Sequence, residues 1–196
     1  VLCIAKEFAA GKIQNYIALF QQRFLKDQYL FINELEGVIR QMYQAGDVDQ
    51  VRGLEGAAAK KIYHRLNNFI DDDAFFLQKR DRRSPDRMNS LLNFGYYLLF
   101  SRINATVRAV GLNPYLGFLH SPQDNYESLV CDIEELFRAR IDRFIIRLIN
   151  LKVVKRDDFI ETERGLYLKK DAVKKFIDQF EAEMEKKSPK DTLSLK

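Results

Sequence analysis

The chain has 196 residues, enough to bury the core of one domain with at most a small appendage. Hydrophobic residues at 46%, with only nine glycines and four prolines, exclude a disordered chain and predict a helix-rich protein. A formal net charge of +4, from 32 bases against 28 acids, permits an anionic partner without demanding one.

Apolar residues recur at helical intervals from the start. Ile4, Phe8, Ile13, Ile17, Phe20 and Phe24 mark a first helix. Leu30, Leu35, Val38, Ile39 and Met42 mark a second, ended by Ala45-Gly46. Asp47 with Gln50 three residues on resembles a capping box, which opens a third helix running to about Asn68 with Glu55 inside it. Residues 71–83 carry an acidic run and then a basic one without a sustained period, and read as a mobile or DNA-facing loop. Ser84 and Pro85 suit the N-cap and first position of a fourth helix reaching Val110. Gly111 suits the left-handed residue that follows a helix, and Asn113-Pro114 prevents continuation. The densest apolar segment, residues 91–100, is short and broken by Asn93 and Gly95, so it reads as a buried helix and not a membrane span.

Ser128 is expected to cap a fifth helix whose buried stripe is Val130, Ile133, Phe137, Ile141, Phe144 and Leu148. At about 100° per residue, Asp132, Glu135, Ala139 and Arg143 fall on the opposite face. Phe159-Ile-Glu-Thr162 and Gly165-Leu-Tyr-Leu168 predict a short hairpin, and a last helix runs from Lys170 to about Lys186. The fold class is therefore all-α with one small β-hairpin: a helical domain over 1–186 and a disordered tail at 187–196. Cys3 and Cys131 read as ordinary buried thiols of a reducing compartment. The chain starts at Val1 without a signal peptide and reads as a piece of a longer polypeptide.

The stretch Gly111-Leu-Asn-Pro-Tyr-Leu-Gly-Phe-Leu-His120 delivers one of only two histidines just before a helix that carries Asp132 and Glu135. With Glu55 from the third helix, these residues would bring mixed oxygen and nitrogen donors from three separate elements. Such a set suits Mn²⁺ or Mg²⁺ better than a structural zinc site. Each residue also has a plainer reading. Glu55, among the small neighbours of Gly53-Leu-Glu-Gly-Ala-Ala-Ala59, can be a solvated carboxylate on a tightly packed helix. His120 can be a hydrogen-bonded loop histidine, and Asp132 and Glu135 can serve the helix dipole. No Gly-rich phosphate loop, His-Glu-x-x-His helix or Gly-x-Ser-x-Gly elbow is present.

Four ordered motifs carry a family resemblance: Ala5-Lys-Glu-Phe-Ala-Ala-Gly-Lys-Ile-Gln-Asn15, Gly53-Leu-Glu-Gly-Ala-Ala58, Met88-Asn-Ser-Leu-Leu-Asn-Phe-Gly-Tyr96, and the pair formed by the 111–120 stretch with Ser128-Leu-Val-Cys-Asp-Ile-Glu-Glu-Leu-Phe-Arg138. Through them most of the chain resembles the catalytic helical domain of the CRISPR-associated integrase-endonuclease, the Cas-one family of spacer-acquisition proteins. The resemblance implies a prokaryotic, cytoplasmic enzyme that uses Mg²⁺ or Mn²⁺ to join the 3′-hydroxyl of a spacer duplex to the repeat array. It implies that Glu55, His120 and Glu135 are the metal ligands and that Asp132 is needed beside them. Tyr63, Asn89 and Asn93 lie in family motifs and can equally support the fold. Ala139 stands where the family often has proline, which leaves the ligands untouched. Arg80, Arg82, Arg83, Arg138 and Arg143 are candidates for holding DNA phosphates. The implied partners are DNA, a second copy in a homodimer, and a small ferredoxin-like subunit, with no membrane. The family's preceding β-rich domain is expected to be missing from this chain. Two other readings stay open: a nuclease selective for branched DNA, and a non-catalytic helical DNA-binding scaffold.

Overall fold

The computed structural model describes residues 1–22, 27–83, 85–120 and 126–186. Among them are six α-helices: α1 (Leu2–Phe20), α2 (Gln28–Gln44), α3 (Val48–Leu66), α4 (Arg87–Ala109), α5 (Ser128–Asn150) and α6 (Lys170–Met184). One antiparallel hairpin, β1 (Phe159–Thr162) with β2 (Gly165–Leu168), precedes α6 and pairs Phe159 with Leu168 and Thr162 with Gly165. The all-α reading and the hairpin are both present. None of the described helices is long and apolar enough to cross a membrane. The chain divides into two compact units, Val1–Ile62 with Tyr96–Arg140, and Tyr63–Gly95 with the described residues from Ile141 onward.

In the first unit, α1 lies against the first half of α5 along a face of small residues. Ala5, Ala9 and Ala10 are buried, and a Cβ built on Gly11 would stand 2.8 Å from Leu136 Cδ2. The Asn15 amide donates to the Leu136 carbonyl at 2.7 Å and fixes the register of the two helices. Phe20 meets Phe31 of α2 edge to face, with centroids 5.1 Å apart. Of the stripe expected in α2, only Leu35 and Met42 are buried; Leu30 is 67% exposed. Phe24 of the expected first helix lies outside the described residues.

The predicted cap of α3 is present in a modified form. Asp47 Oδ1 accepts from Gln50 N at 2.8 Å, while the Gln50 side chain reaches back one residue further than in a capping box, to Gly46 N at 2.9 Å. Gly111 closes α4 at φ +78°, and Leu112 N returns to Val107 O at 3.0 Å in a Schellman arrangement. The start of α4 differs from expectation. Ser84 lies outside the described residues, and α4 begins after Asp86, whose Oδ1 accepts from Asn89 N at 2.7 Å. A carboxylate in that position satisfies an orphan N–H and also meets the positive end of the helix dipole.

In the second unit the core is aromatic and built on the rest of α5. Phe144 and Phe94 both contact Phe176 of α6, at centroid distances of 5.3 and 5.1 Å. Gly95 lets α4 approach, since a Cβ there would lie 2.8 Å from Ile141 Cγ2. The 71–83 stretch, expected as a mobile or DNA-facing loop, is tied to its neighbours by several contacts. Phe75 and Leu77 are buried, Asn67 clamps Leu77 through both N and O, and Arg156 pairs with Asp72 and Asp73. Acid at 71–73 and base at 79–83 hid this from a reading that looked for apolar period alone.

Candidate metal centre

All the acids proposed for the site, together with His120, lie in the first unit. The loop after α4 reaches α5 through Ser128, which does not act as an N-cap. Its hydroxyl donates to Tyr115 O at 2.7 Å and accepts from Gly117 N at 2.9 Å. A Cβ on Gly117 would lie 2.8 Å from the Ser128 carbonyl carbon, so only glycine allows this approach. Gly117→Ala is therefore expected to lower the melting temperature by several degrees, about 1–3 kcal/mol of overpacking, and an unchanged melting temperature would contradict the contact.

The loop then wraps its backbone around one carboxylate. Asp132 is fully buried and accepts from Phe118 N at 2.5 Å, Leu119 N at 2.9 Å and His120 N at 2.8 Å. Its Oδ1 also lies 2.7 Å from His120 Nδ1. A carboxylate accepts, so Nδ1 carries the hydrogen, and a ring with a single proton has its lone pair on Nε2. This is the carboxylate–histidine arrangement that orients metal-binding imidazoles. Arg52 of α3 donates to Leu119 O at 2.6 Å, tying the loop to the helix that carries Glu55 one turn later.

Glu55 and Glu135 meet on one cation. The Lys12 ammonium pairs with Glu55 Oε1 and lies 2.6 Å from Glu135 Oε2, and Lys12 is only 3% exposed. Arg138 Nη2 stands 3.2 Å from Glu135 Oε1, with its guanidinium 4.7 Å over the Tyr96 ring. Burial pushes the Glu135 carboxyl upward, but the positive charges of Lys12 and Arg138 outweigh it and hold its pKa below the ordinary value. Around Glu55, Gly53 and Gly56 are exposed and a Cβ on either would meet open space. Of the small residues there, Ala58 is buried, but Gly53 and Gly56 do not serve tight packing. They leave the flank of Glu55 open to a bulky ligand.

Two carboxylates that share a cation and an imidazole with a directed Nε2 fit the chemistry of a divalent-metal site. As placed, no three His, Cys, Asp or Glu side chains among the described residues close around a metal position, and the Lys12 ammonium takes the place between Glu55 and Glu135.

Asp132 and Glu135, read as lying on the face opposite the apolar stripe, are both buried, as are Glu134 and Asp142. α5 is enclosed on more than one side, so its acids face other elements. The basic candidates divide. Arg80 donates to Asn89 Oδ1 at 2.9 Å and Asn93 Oδ1 at 2.5 Å, which makes those asparagines anchors of the basic segment. Arg82 and Arg83 are exposed, and Arg83 pairs with Asp81 at 2.8 Å. Arg138 supports Glu135, and Arg143 lies 3.7 Å from Glu183. Cys3 is exposed, contrary to expectation, and Cys131 is part-buried; both are free thiols. Lys12 was the residue that sequence reasoning missed. Its signal was a lysine in the stripe Ala5, Ala9, Lys12, Tyr16, where a charge needs a buried partner.

The family model for the CRISPR associated protein Cas1 matches residues 1–182. The chain belongs to the Cas1 family. A CRISPR-associated endonuclease Cas1 from Leptospira interrogans is 34% identical over 190 residues, covering 91% of this chain and 75% of that protein. The solved structure of a Cas1 protein from Thermotoga maritima superposes with a TM-score of 0.85 at 27% identity, over 92% of this chain and 57% of its own. A casposase bound to integration product superposes at 0.83, also at 27% identity, over 95% and 54%. The chain thus spans about half the length of these two solved chains.

Proposed function

We propose that this chain is the catalytic helical part of a divalent-metal-dependent Cas1 integrase, which joins the 3′-hydroxyl of a short spacer duplex to a phosphodiester of the repeat array. The convergence of Glu55 and Glu135 on a single cation, beside an imidazole whose Nδ1 is fixed by Asp132, carries this reading. The similarity to a casposase bound to integration product favours strand transfer over a scaffold role. Glu55, His120 through Nε2, and Glu135 would hold Mg²⁺ or Mn²⁺.

The bound ion would supply Lewis-acid polarisation of the scissile phosphate and favour ionisation of the attacking oxygen. The protein's own part is to bind and orient. Asp132 is a positioning residue: it keeps His120 in one tautomer and holds the 118–120 backbone against α5. The open flank of α3 at Gly53 and Gly56 admits the phosphate backbone to the Glu55 side of the site. In the reaction the 3′-oxygen forms a new P–O bond, the existing P–O3′ bond breaks, and the proton released by the attacking hydroxyl ends on solvent or on the departing 3′-oxygen. No covalent enzyme intermediate is needed. With water as the attacking group, the same site cleaves DNA, which is the reading that the endonuclease name of the Leptospira relative favours. The homodimer, the small ferredoxin-like subunit and the phosphate contacts of Arg82 and Arg83 are parts of this proposal that rest on the family.

A strand-transfer assay on the intact protein with Mn²⁺ tests it. Glu55→Ala, His120→Ala and Glu135→Ala are each expected to reduce joining at least about a hundredfold, since a lost ligand removes several kcal/mol of transition-state stabilisation. Joining that persists in all three variants would overturn the assignment, and cleavage without joining in the wild type would make the site a nuclease.

A further inference from the structure

We propose that Lys12 is a resident counter-cation of the metal site, which a divalent ion must displace in order to bind; this rests on the metal reading given above. The Lys12 ammonium is buried between two carboxylates from different helices, pairing with Glu55 Oε1 and lying 2.6 Å from Glu135 Oε2. Both Glu135 oxygens face a cation, Oε2 close to Lys12 but outside hydrogen-bond geometry and Oε1 at 3.2 Å from Arg138.

Mg²⁺ or Mn²⁺ holds carboxylate oxygens at about 2.0–2.2 Å and needs them facing inward. An ammonium cannot share that space, and its like charge opposes the ion at short range. Without a metal, Lys12 keeps Glu55 and Glu135 from repelling each other across a buried gap, so the site is assembled before loading. With a metal, the carboxylates exchange one cation for another, and Arg138 stays with Glu134 at 3.7 Å and the Tyr96 ring at 4.7 Å. The lysine therefore weakens metal affinity while preserving the shape of the site, and metal occupancy depends on the concentration of the divalent ion.

Two measurements on the intact protein decide this. The first is calorimetric titration with Mn²⁺ of wild type and Lys12→Met. Removing the competing charge should tighten binding by at least about tenfold, whereas a lysine that merely supports the fold would leave affinity equal or weaker when replaced. The second needs no variant. In wild type, the buried ion-paired Lys12 ammonium should give a slowly exchanging ¹⁵N–H signal that disappears or moves as Mg²⁺ saturates the site. An unchanged signal at saturation, or Lys12→Met binding Mn²⁺ no more tightly than a wild type that does bind it, would overturn the displacement proposal alone. Failure of wild type and variant alike to bind Mn²⁺ would overturn the metal reading and this proposal with it.

Discussion

Asp132→Ala is expected to cost about 2–4 kcal/mol of folding stability and to abolish metal-dependent activity in whatever fraction remains folded. The reason is the concentration of donors on one buried carboxylate. Three consecutive backbone N–H groups and the His120 ring end on Asp132, and the Leu119 N–H bond is fully buried. Alanine leaves these donors without an acceptor in a place that admits little water, and each such group costs about 1–3 kcal/mol. Urea unfolding reads the loss directly. Asp132→Asn separates holding the loop from orienting the ring. Its amide oxygen can still accept from the backbone, so part of the stability returns, but it no longer demands a hydrogen on His120 Nδ1. The ¹⁵N shifts of the imidazole should then change from the single Nδ1–H tautomer toward a mixture. If Asp132→Asn keeps both the wild-type tautomer and full activity, Asp132 does not act through His120.

Glu135→Ala is expected to destabilise the chain by about 3 kcal/mol, because it strips a buried carboxylate from Lys12 and Arg138. The loss stays at the lower end of the range for broken buried pairs, since Lys12 retains Glu55 and Arg138 retains Glu134. The pH dependence follows from the lowered pKa of Glu135. Its contribution is present above the ordinary carboxylate value of 4.5 and is lost as pH falls through the lowered folded value. The stability gap between wild type and Glu135→Gln should therefore be wide at neutral pH and narrow progressively below 4.5. A gap independent of pH would show that Glu135 contributes by packing and not by charge.

Much of the fold was legible because local signals and tertiary structure agreed. Asp47 caps α3, Gly111 takes φ +78°, and the hairpin pairs Phe159 with Leu168 at the expected ends. Glu55, His120, Asp132 and Glu135 could be singled out from residue type and order, and the family match then covered residues 1–182.

What could not be read was the direction in which charged groups point. A period places Asp132 and Glu135 opposite the apolar stripe without saying what covers that face, and both are buried there by contacts from α1 and the 117–120 loop. That outcome depends on partners far away in sequence: Lys12 meets Glu135 across more than a hundred residues, and no window along α5 contains it. Ser128 departs from expectation for a similar reason. Serine before an amphipathic run is ordinarily a cap, but here the hydroxyl is taken by Tyr115 and Gly117 of the incoming loop. Arg138 looked like a phosphate contact because bases on helices often are; its place beside Glu135 appears only when α1 and α4 are packed around it.

Glu55, His120 and Glu135 are proposed to form one divalent-metal site. Anomalous scattering from crystals of the intact protein soaked in Mn²⁺ tests it most directly. A single strong peak is expected within bonding distance of a Glu55 oxygen, His120 Nε2 and a Glu135 oxygen, with the Lys12 ammonium moved out of the gap between the two carboxylates. A saturating soak that gives no peak there would contradict the metal site, and a peak with Lys12 still bridging Glu55 and Glu135 would contradict the displacement of Lys12 alone.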